Sequence, residues 1–212
     1  MAKRRLPQPL EPEELRAVLA IPNRRAPTGC RNRAMLTLMA AEGLRVGEVV
    51  GLRLSDLSRR RDRIRVINGK GGDRTVYLTE ATSGRIAEWL AVRGKLAPDS
   101  AWLFPQVRLS SYRNPGERSG AKLRGSKLST SYVRALTARL GAKAGLPEGR
   151  RTNPHVFRHT AATAMVEGGF ELPEVQAQLG HRNIATTSVY LHVRNARLAS
   201  RMRQFQPEGI AD

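Results

Sequence analysis

Asn153-Pro154-His155-Val156-Phe157-Arg158-His159-Thr160-Ala161-Ala162-Thr163-Ala164 carries the clearest local signal in the chain. Pro154 fits the first turn of a helix, where a missing N–H costs nothing. The alanine-rich run that follows ends at Gly168-Gly169, so the segment reads as a buried helix. His155 and Arg158 lie three residues apart and share one face near its N-terminus. A histidine there is disfavoured as a cation and suits a neutral proton carrier or a phosphate donor. His159 points elsewhere around the helix and reads as a packing residue.

Two further segments stand upstream and downstream of it. In Glu42-Gly43-Leu44-Arg45-Val46-Gly47-Glu48-Val49-Val50-Gly51-Leu52, Gly43 ends one helix and Arg45 opens the next. An arginine at that place can join backbone N–H groups in holding an anion. Glu48, three residues on, shares its face and can brace it. Taken alone, such a pair is more often a surface salt bridge. In the run from Leu179-Gly180-His181 to Thr186-Thr187-Ser188-Val189-Tyr190-Leu191-His192, Gly180 ends a helix and His181 is displayed in the turn after it. Tyr190 sits in a short segment of otherwise small and apolar residues, where a tyrosine alone reads as an interface aromatic.

The rest of the chain frames these segments as a mainly α fold with a small antiparallel β-hairpin, an α+β class. Helices are expected from Leu10-Glu11-Pro12-Glu13-Glu14 onward, over about 31–42, from Val46 to Leu52, and over about 80–93, 129–144, 154–167, 172–179 and 184–191. Arg63-Ile64-Arg65-Val66-Ile67 alternates polar and apolar residues as a half-buried strand does. Arg74 to Leu78 forms the return strand after the turn cluster Asn68 to Asp73. Residues 1–10 read as a flexible basic arm, 11–192 as one domain and 193–212 as a basic helical tail. The stretch 106–128 is the long structureless one. Its Arg108, Arg113, Arg118, Lys122, Arg124 and Lys127 face one acid, Glu117, a composition that suits backbone phosphates.

Charge narrows the class of partner. The 212 residues carry 37 Lys+Arg against 18 Asp+Glu, a net charge of +19. With a hydrophobic content of 40%, the chain has enough apolar material for a core, so its charge is not that of a disordered tail. A protein this basic meets a polyanion, with nucleic acid first and an anionic membrane surface second. Only six of the cations are lysine; arginine's planar fork suits phosphate, though a GC-rich genome biases composition the same way. The single Cys30 excludes an internal disulfide and a cysteine-based zinc site. No signal peptide or membrane span is legible, so a cytoplasmic, nucleoid-associated protein is expected. None of the four histidines has an acidic or cysteine partner at metal spacing, so neither metal nor cofactor is expected.

Taken in order, these segments resemble the catalytic domain of the tyrosine recombinases, the phage integrase family. The matching phrases are Gly-Leu-Arg45-x-x-Glu48, Gly-Lys70-Gly-Gly-Asp-Arg, His155-x-x-Arg158-His, Leu-Gly-His181 and Thr-Thr-x-x-Tyr190-x-His. The resemblance covers roughly residues 10–195. It implies that Tyr190 is the nucleophile, attacking a DNA phosphate to form a 3′-phosphotyrosyl link and free a 5′-hydroxyl. Arg45 and Arg158 would clamp the non-bridging oxygens, and Lys70 would protonate the leaving 5′-oxygen. His155 would act as acid/base partner near Tyr190, His181 would donate to the phosphate, and Glu48 would orient Arg45 or His155. The shortage of carboxylates fits chemistry without metal or ATP. Arg182 and the basic residues of the long loop would contact the duplex.

The resemblance also implies partners: a double-stranded recombination site, with the chain a monomer or weak oligomer in solution and a tetramer on paired sites. No separate N-terminal core-binding domain precedes the first helix, so the chain is either a natural single-domain member or a fragment. A type IB topoisomerase-like enzyme shares the chemistry, and a non-catalytic DNA-binding protein shares the fold. The Leu-Gly-His and Thr-Thr-x-x-Tyr phrases favour a recombinase over the first, and the complete catalytic set speaks against the second.

Overall fold

The structure, a computed structural model, describes residues 8–67, 72–107, 125–147 and 149–180. Within them the order is α1 (Pro12–Ala20), α2 (Pro27–Ala40), α3 (Val46–Gly51), a 3₁₀ turn (Leu54–Asp56), β1 (Arg63–Val66), β2 (Arg74–Tyr77), α4 (Glu80–Leu96), α5 (Thr130–Lys143), α6 (Pro154–Glu167) and α7 (Leu172–Leu179). The fold is mainly helical with one small antiparallel sheet, as expected. The segments expected at 184–191 and 193–212 lie outside the described residues.

Helix starts follow local chemistry. Thr79, Ser129 and Asn153 cap α4, α5 and α6 by accepting backbone N–H groups of the first turn. The Asn153 Oδ1 takes two of them, from His155 (2.9 Å) and Val156 (3.1 Å). Pro27 occupies the first turn of α2, which therefore begins four residues before the expected start at Arg31.

α2 is the central helix. Ala34, Met35, Leu36, Leu38 and Met39 are fully buried, so it has no solvent stripe. Fully burying a side chain the size of leucine or methionine stabilises by about 1.5–3 kcal/mol. α4 and α6 pack against α2, while α7 lies on α6 and β2. Ala162, Val166, Val175 and Leu179 form a separate small core between α6 and α7. β1 and β2 pair in register from Arg63 opposite Tyr77 to Val66 opposite Arg74.

Two expectations change. Residues 8–10, read as the end of a flexible arm, are anchored. Leu10 is buried and its N–H donates to Thr160 Oγ1 (2.9 Å), while Arg150 donates to Gln8 Oε1 (3.0 Å) and the Pro9 carbonyl (2.7 Å). Burial of one apolar side chain and hydrogen bonds to α6 and Arg150 together hold the segment. The stretch 106–128 is likewise not structureless at its ends. Gln106 N–H donates to Ser126 O (2.7 Å), Gly125 N–H donates to Gln106 O (2.9 Å), and Pro105 bridges Lys127. Buried Arg31 secures this stem by donating to Pro105 O (2.9 Å) and the Tyr132 hydroxyl (2.7 Å). Residues 108–124 lie outside the described residues. No helix among the described residues is long and apolar enough to cross a membrane.

Candidate active site

The site forms where the α2–α3 turn, the start of α6 and the end of α7 meet. Gly43 makes this meeting possible: it holds φ +68°, and Leu179 occupies the space a side chain there would need. α7 therefore ends directly against the turn that carries Arg45.

The last turn of a helix leaves carbonyls without intrahelical partners. In α7 three arginines satisfy them. Arg74 Nε donates to Gln178 O (3.1 Å), Arg158 Nη2 to Leu179 O (2.9 Å) and Arg45 Nη2 to Gly180 O (3.1 Å). Arg45 Nη1 also approaches Leu179 O at 3.5 Å. Cations at a helix C-terminus are favoured by its dipole as well. Arg158 is 8% exposed, and its Nη1 donates to Gly43 O (2.5 Å). The same guanidinium thus ties the α2–α3 turn to α7.

Arg45 is the N-cap residue of α3. Glu48, at the third helical position, accepts from the Arg45 backbone N–H (2.8 Å) and from Arg45 Nη1 (2.9 Å). It also accepts a two-pronged pair from Arg74 Nη1 (3.0 Å) and Nη2 (2.9 Å). Burial pushes the Glu48 carboxyl up, but hydrogen bonds from Arg74 and the Arg45 amide outweigh it and hold the group below its usual range. Its two oxygens are taken by Arg45 and Arg74, and among the described residues no bond joins it to His155.

These groups open into a cleft of about 970 Å³. Arg45, Arg53, Lys127, Arg134, His155 and Arg158 line it, with Glu48 and Asp56 as its carboxylates. His155 is exposed in the wall one helical turn from buried Arg158. Lys127 is the member of the expected loop cluster that falls within the described residues. Its Nζ lies 5.0 Å from the Trp102 ring centre, and Arg53 Cζ lies 5.3 Å from the same ring. A cationic, partly apolar cleft with fixed guanidiniums can hold a phosphodiester and neutralise charge developing on its oxygens.

Lys70, His181, Tyr190, Arg108, Arg113, Arg118, Lys122, Arg124 and Arg182 lie outside the described residues. Sequence reasoning missed Arg74, Arg53 and Trp102. For Arg74 a signal existed. Strand alternation sets it on the same face as buried Val76, and an inward arginine calls for a buried acid.

The chain is similar in sequence and in fold to known recombinases. Tyrosine recombinase XerC of Corynebacterium glutamicum is 33% identical over 177 residues, which is 84% of this chain and 51% of that protein. Tyrosine recombinase XerD of Ralstonia nicotianae is 34% identical over 210 residues, 97% of this chain and 62% of that protein. The chain thus spans about half to two thirds of the length of these relatives. The crystal structure of XerA recombinase matches with a TM-score of 0.72 at 27% identity, covering 98% of this chain and 67% of that one. XerH site-specific recombinase, bound to a palindromic difH substrate in a post-cleavage complex, matches with a TM-score of 0.71 at 27% identity, over 93% of this chain and 53% of that one. With residues 8–197 matching the Phage integrase family, the chain belongs to that family.

Proposed function

We propose that the chain carries the catalytic centre of a site-specific tyrosine recombinase, which cleaves and rejoins DNA through a 3′-phosphotyrosyl intermediate. The observation that carries this reading is the pair Arg45 and Arg158, both held on the Leu179 carbonyl and lining one cationic cleft with His155. Such a pair is preorganised to meet the negative charge that grows on the non-bridging oxygens during phosphoryl transfer. Arg45 offers five N–H groups, and the described residues use three of them.

The remaining machinery comes from residues that follow described segments in sequence. Ile67, three positions before Lys70, lines the cleft. Gly180, which holds Arg45, immediately precedes His181. Lys70 is the proton donor to the leaving 5′-oxygen, His155 the acid/base partner and His181 a phosphate donor. Glu48 orients Arg45. Tyr190 attacks; a free phenol has a reference pKa near ~10 and is ionised roughly once in a thousand at neutral pH, so such a nucleophile needs cations and a base. The tyrosyl ester conserves the energy of the broken phosphodiester, so rejoining needs no ATP. The substrate is a double-stranded recombination site held by the basic surface, and the active assembly pairs two such sites in a tetramer. The chain works in the cytoplasm, at the nucleoid. The recombinase names of the relatives support this reading over a DNA-relaxing topoisomerase.

A nicked suicide substrate tests the proposal. The unmodified chain is expected to become covalently joined to the 3′ end, and Tyr190→Phe is expected to bind the same DNA without forming the adduct. An undiminished adduct from Tyr190→Phe overturns the assignment.

A further inference from the structure

We propose that Arg74 is a positioning residue for strand cleavage: it holds Glu48 so that Arg45 keeps its charge for the phosphate, and it locks β2 to the end of α7. The inference rests on the recombinase reading above.

Electrostatics supply the first argument. Glu48 is buried, with 6% of its side chain exposed, and it contacts Arg45 Nη1 at 2.9 Å. A buried carboxylate with one cationic partner would neutralise that partner and compete with any incoming phosphate for its N–H groups. Arg74 changes the balance. Its side chain is 9% exposed and grips both Glu48 oxygens in a planar fork at 3.0 and 2.9 Å. The three groups together carry a net single positive charge. Arg74 is the more enclosed of the two cations, so the surplus resides on Arg45, which is 25% exposed and faces the cleft.

Packing supplies the second argument. Arg74 Nε donates to Gln178 O (3.1 Å), and Gly180 lies against the same side chain. A Cβ on Gly180 would fall 2.8 Å from Arg74 Cδ, Nε and Nη1, so the α7 end can approach this closely only as glycine. Gln178 completes the seam. Its Oε1 accepts from Tyr77 N–H (3.2 Å) and its Nε2 donates to Tyr77 O (2.7 Å), pairing with β2 as another strand would. Arg74 lies four positions after Lys70, and Gly180 immediately precedes His181. One side chain therefore ties the strand behind Lys70, the acid behind Arg45 and the turn before His181 into one unit.

Single-turnover cleavage by the full chain at saturating protein tests the role. Two nicked substrates are compared, one natural and one with a methyl group replacing a non-bridging oxygen at the scissile phosphate. On the natural substrate Arg74→Gln is expected to slow adduct formation by about 10²-fold, the scale of losing one preorganised donor, with DNA affinity changed far less. Arg74→Lys, which keeps the charge without the fork, is expected to recover about tenfold of that loss. The neutral linkage asks less of Arg45, so both deficits are expected to shrink on the methylated substrate. Deficits equal on the two substrates, or none on the natural one, overturn the inference. If Arg74→Gln does not stay folded, Arg74→Lys on the two substrates decides by the same criterion. Failure of the unmodified chain to form any adduct overturns the recombinase reading and this inference with it.

Discussion

Leu179 stands where a side chain on Gly43 would have to go, and this contact sets the arginine clamp. It brings the Gly43 and Leu179 carbonyls within reach of one guanidinium, that of Arg158. Gly43→Ala must displace the buried Leu179 side chain and also place a side chain at φ +68°. The expected cost is about 1–3 kcal/mol, read as a drop of several degrees in melting temperature. Cleavage is expected to fall further than DNA binding, because Arg158 and Arg45 lose their carbonyl anchors together. A variant that melts and cleaves like the parent would show that the clamp does not depend on this approach.

Glu48 sits between two guanidiniums, so its charge is more consequential than its shape. Its folded pKa is held below the unfolded value of 4.5. The stability it contributes is therefore present above that value and lost as pH falls through the depressed one. Glu48→Gln is expected to remove this share of the acid sensitivity. The variant also leaves the enclosed Arg74 and the partly exposed Arg45 without their shared carboxylate, at a cost of about 1–3 kcal/mol near neutral pH. Urea melts of parent and variant across the acid range read both effects. Parallel pH profiles would contradict the assigned charge.

Much of this arrangement was legible in the sequence, and the reasons are local. Asn153-Pro154 announces α6 because a capping side chain and an N–H-free residue both favour a helix start there. The alternation in Arg63 to Ile67 announces a half-buried strand, and Arg45 with Glu48 at helical spacing announces a pair. What depends on long-range contact was not legible. Nothing near Arg74 in sequence shows that its partner is Glu48, 26 positions away, or that Gln178 will pair with Tyr77 across 101. Likewise, a Leu10 docked under Thr160 looks like part of a charged arm until α6 is in place. Periodicity reports which face is buried; it is silent on what the face meets.

Glu42 makes the stability of the fold sensitive to pH near neutrality. Burial pushes its carboxyl up to about 7, against hydrogen bonds from the Thr79 amide and hydroxyl (2.9 and 3.0 Å) and the Thr82 hydroxyl (2.9 Å). Between the unfolded value of 4.5 and about 7 the folded chain retains a proton that the unfolded chain has released. Stability from this group is full below the lower value and declines as pH rises to the upper one. The expected span is on the order of 1–3 kcal/mol. Glu42→Gln cannot ionise and is expected to flatten this part of the profile, gaining on the parent as pH rises through the window. Denaturation midpoints at several pH values measure the difference, and a parent midpoint as flat as that of the variant would refute it.

Arg53 and Lys127 lie 5.3 and 5.0 Å from the Trp102 ring centre, and among the described residues neither side chain has a carboxylate partner. Two cations sharing one ring repel each other, and an anion bridging them relieves the repulsion. On the recombinase reading proposed above, the bridging group on this cleft wall is a DNA phosphate near the one being cut. Each cation that neutralises a phosphate releases condensed counterions, which sets the salt dependence of binding. Arg53→Ala and Lys127→Ala are each expected to lower the slope of log K against log salt by about 0.9, and the double variant by about twice that. Trp102→Ala keeps both charges but loses their support, so affinity is expected to fall with less change in slope. Fluorescence anisotropy with a labelled duplex over a salt series measures the parent and all four variants. Slopes that match the parent in both single variants would place the phosphates elsewhere on the cleft.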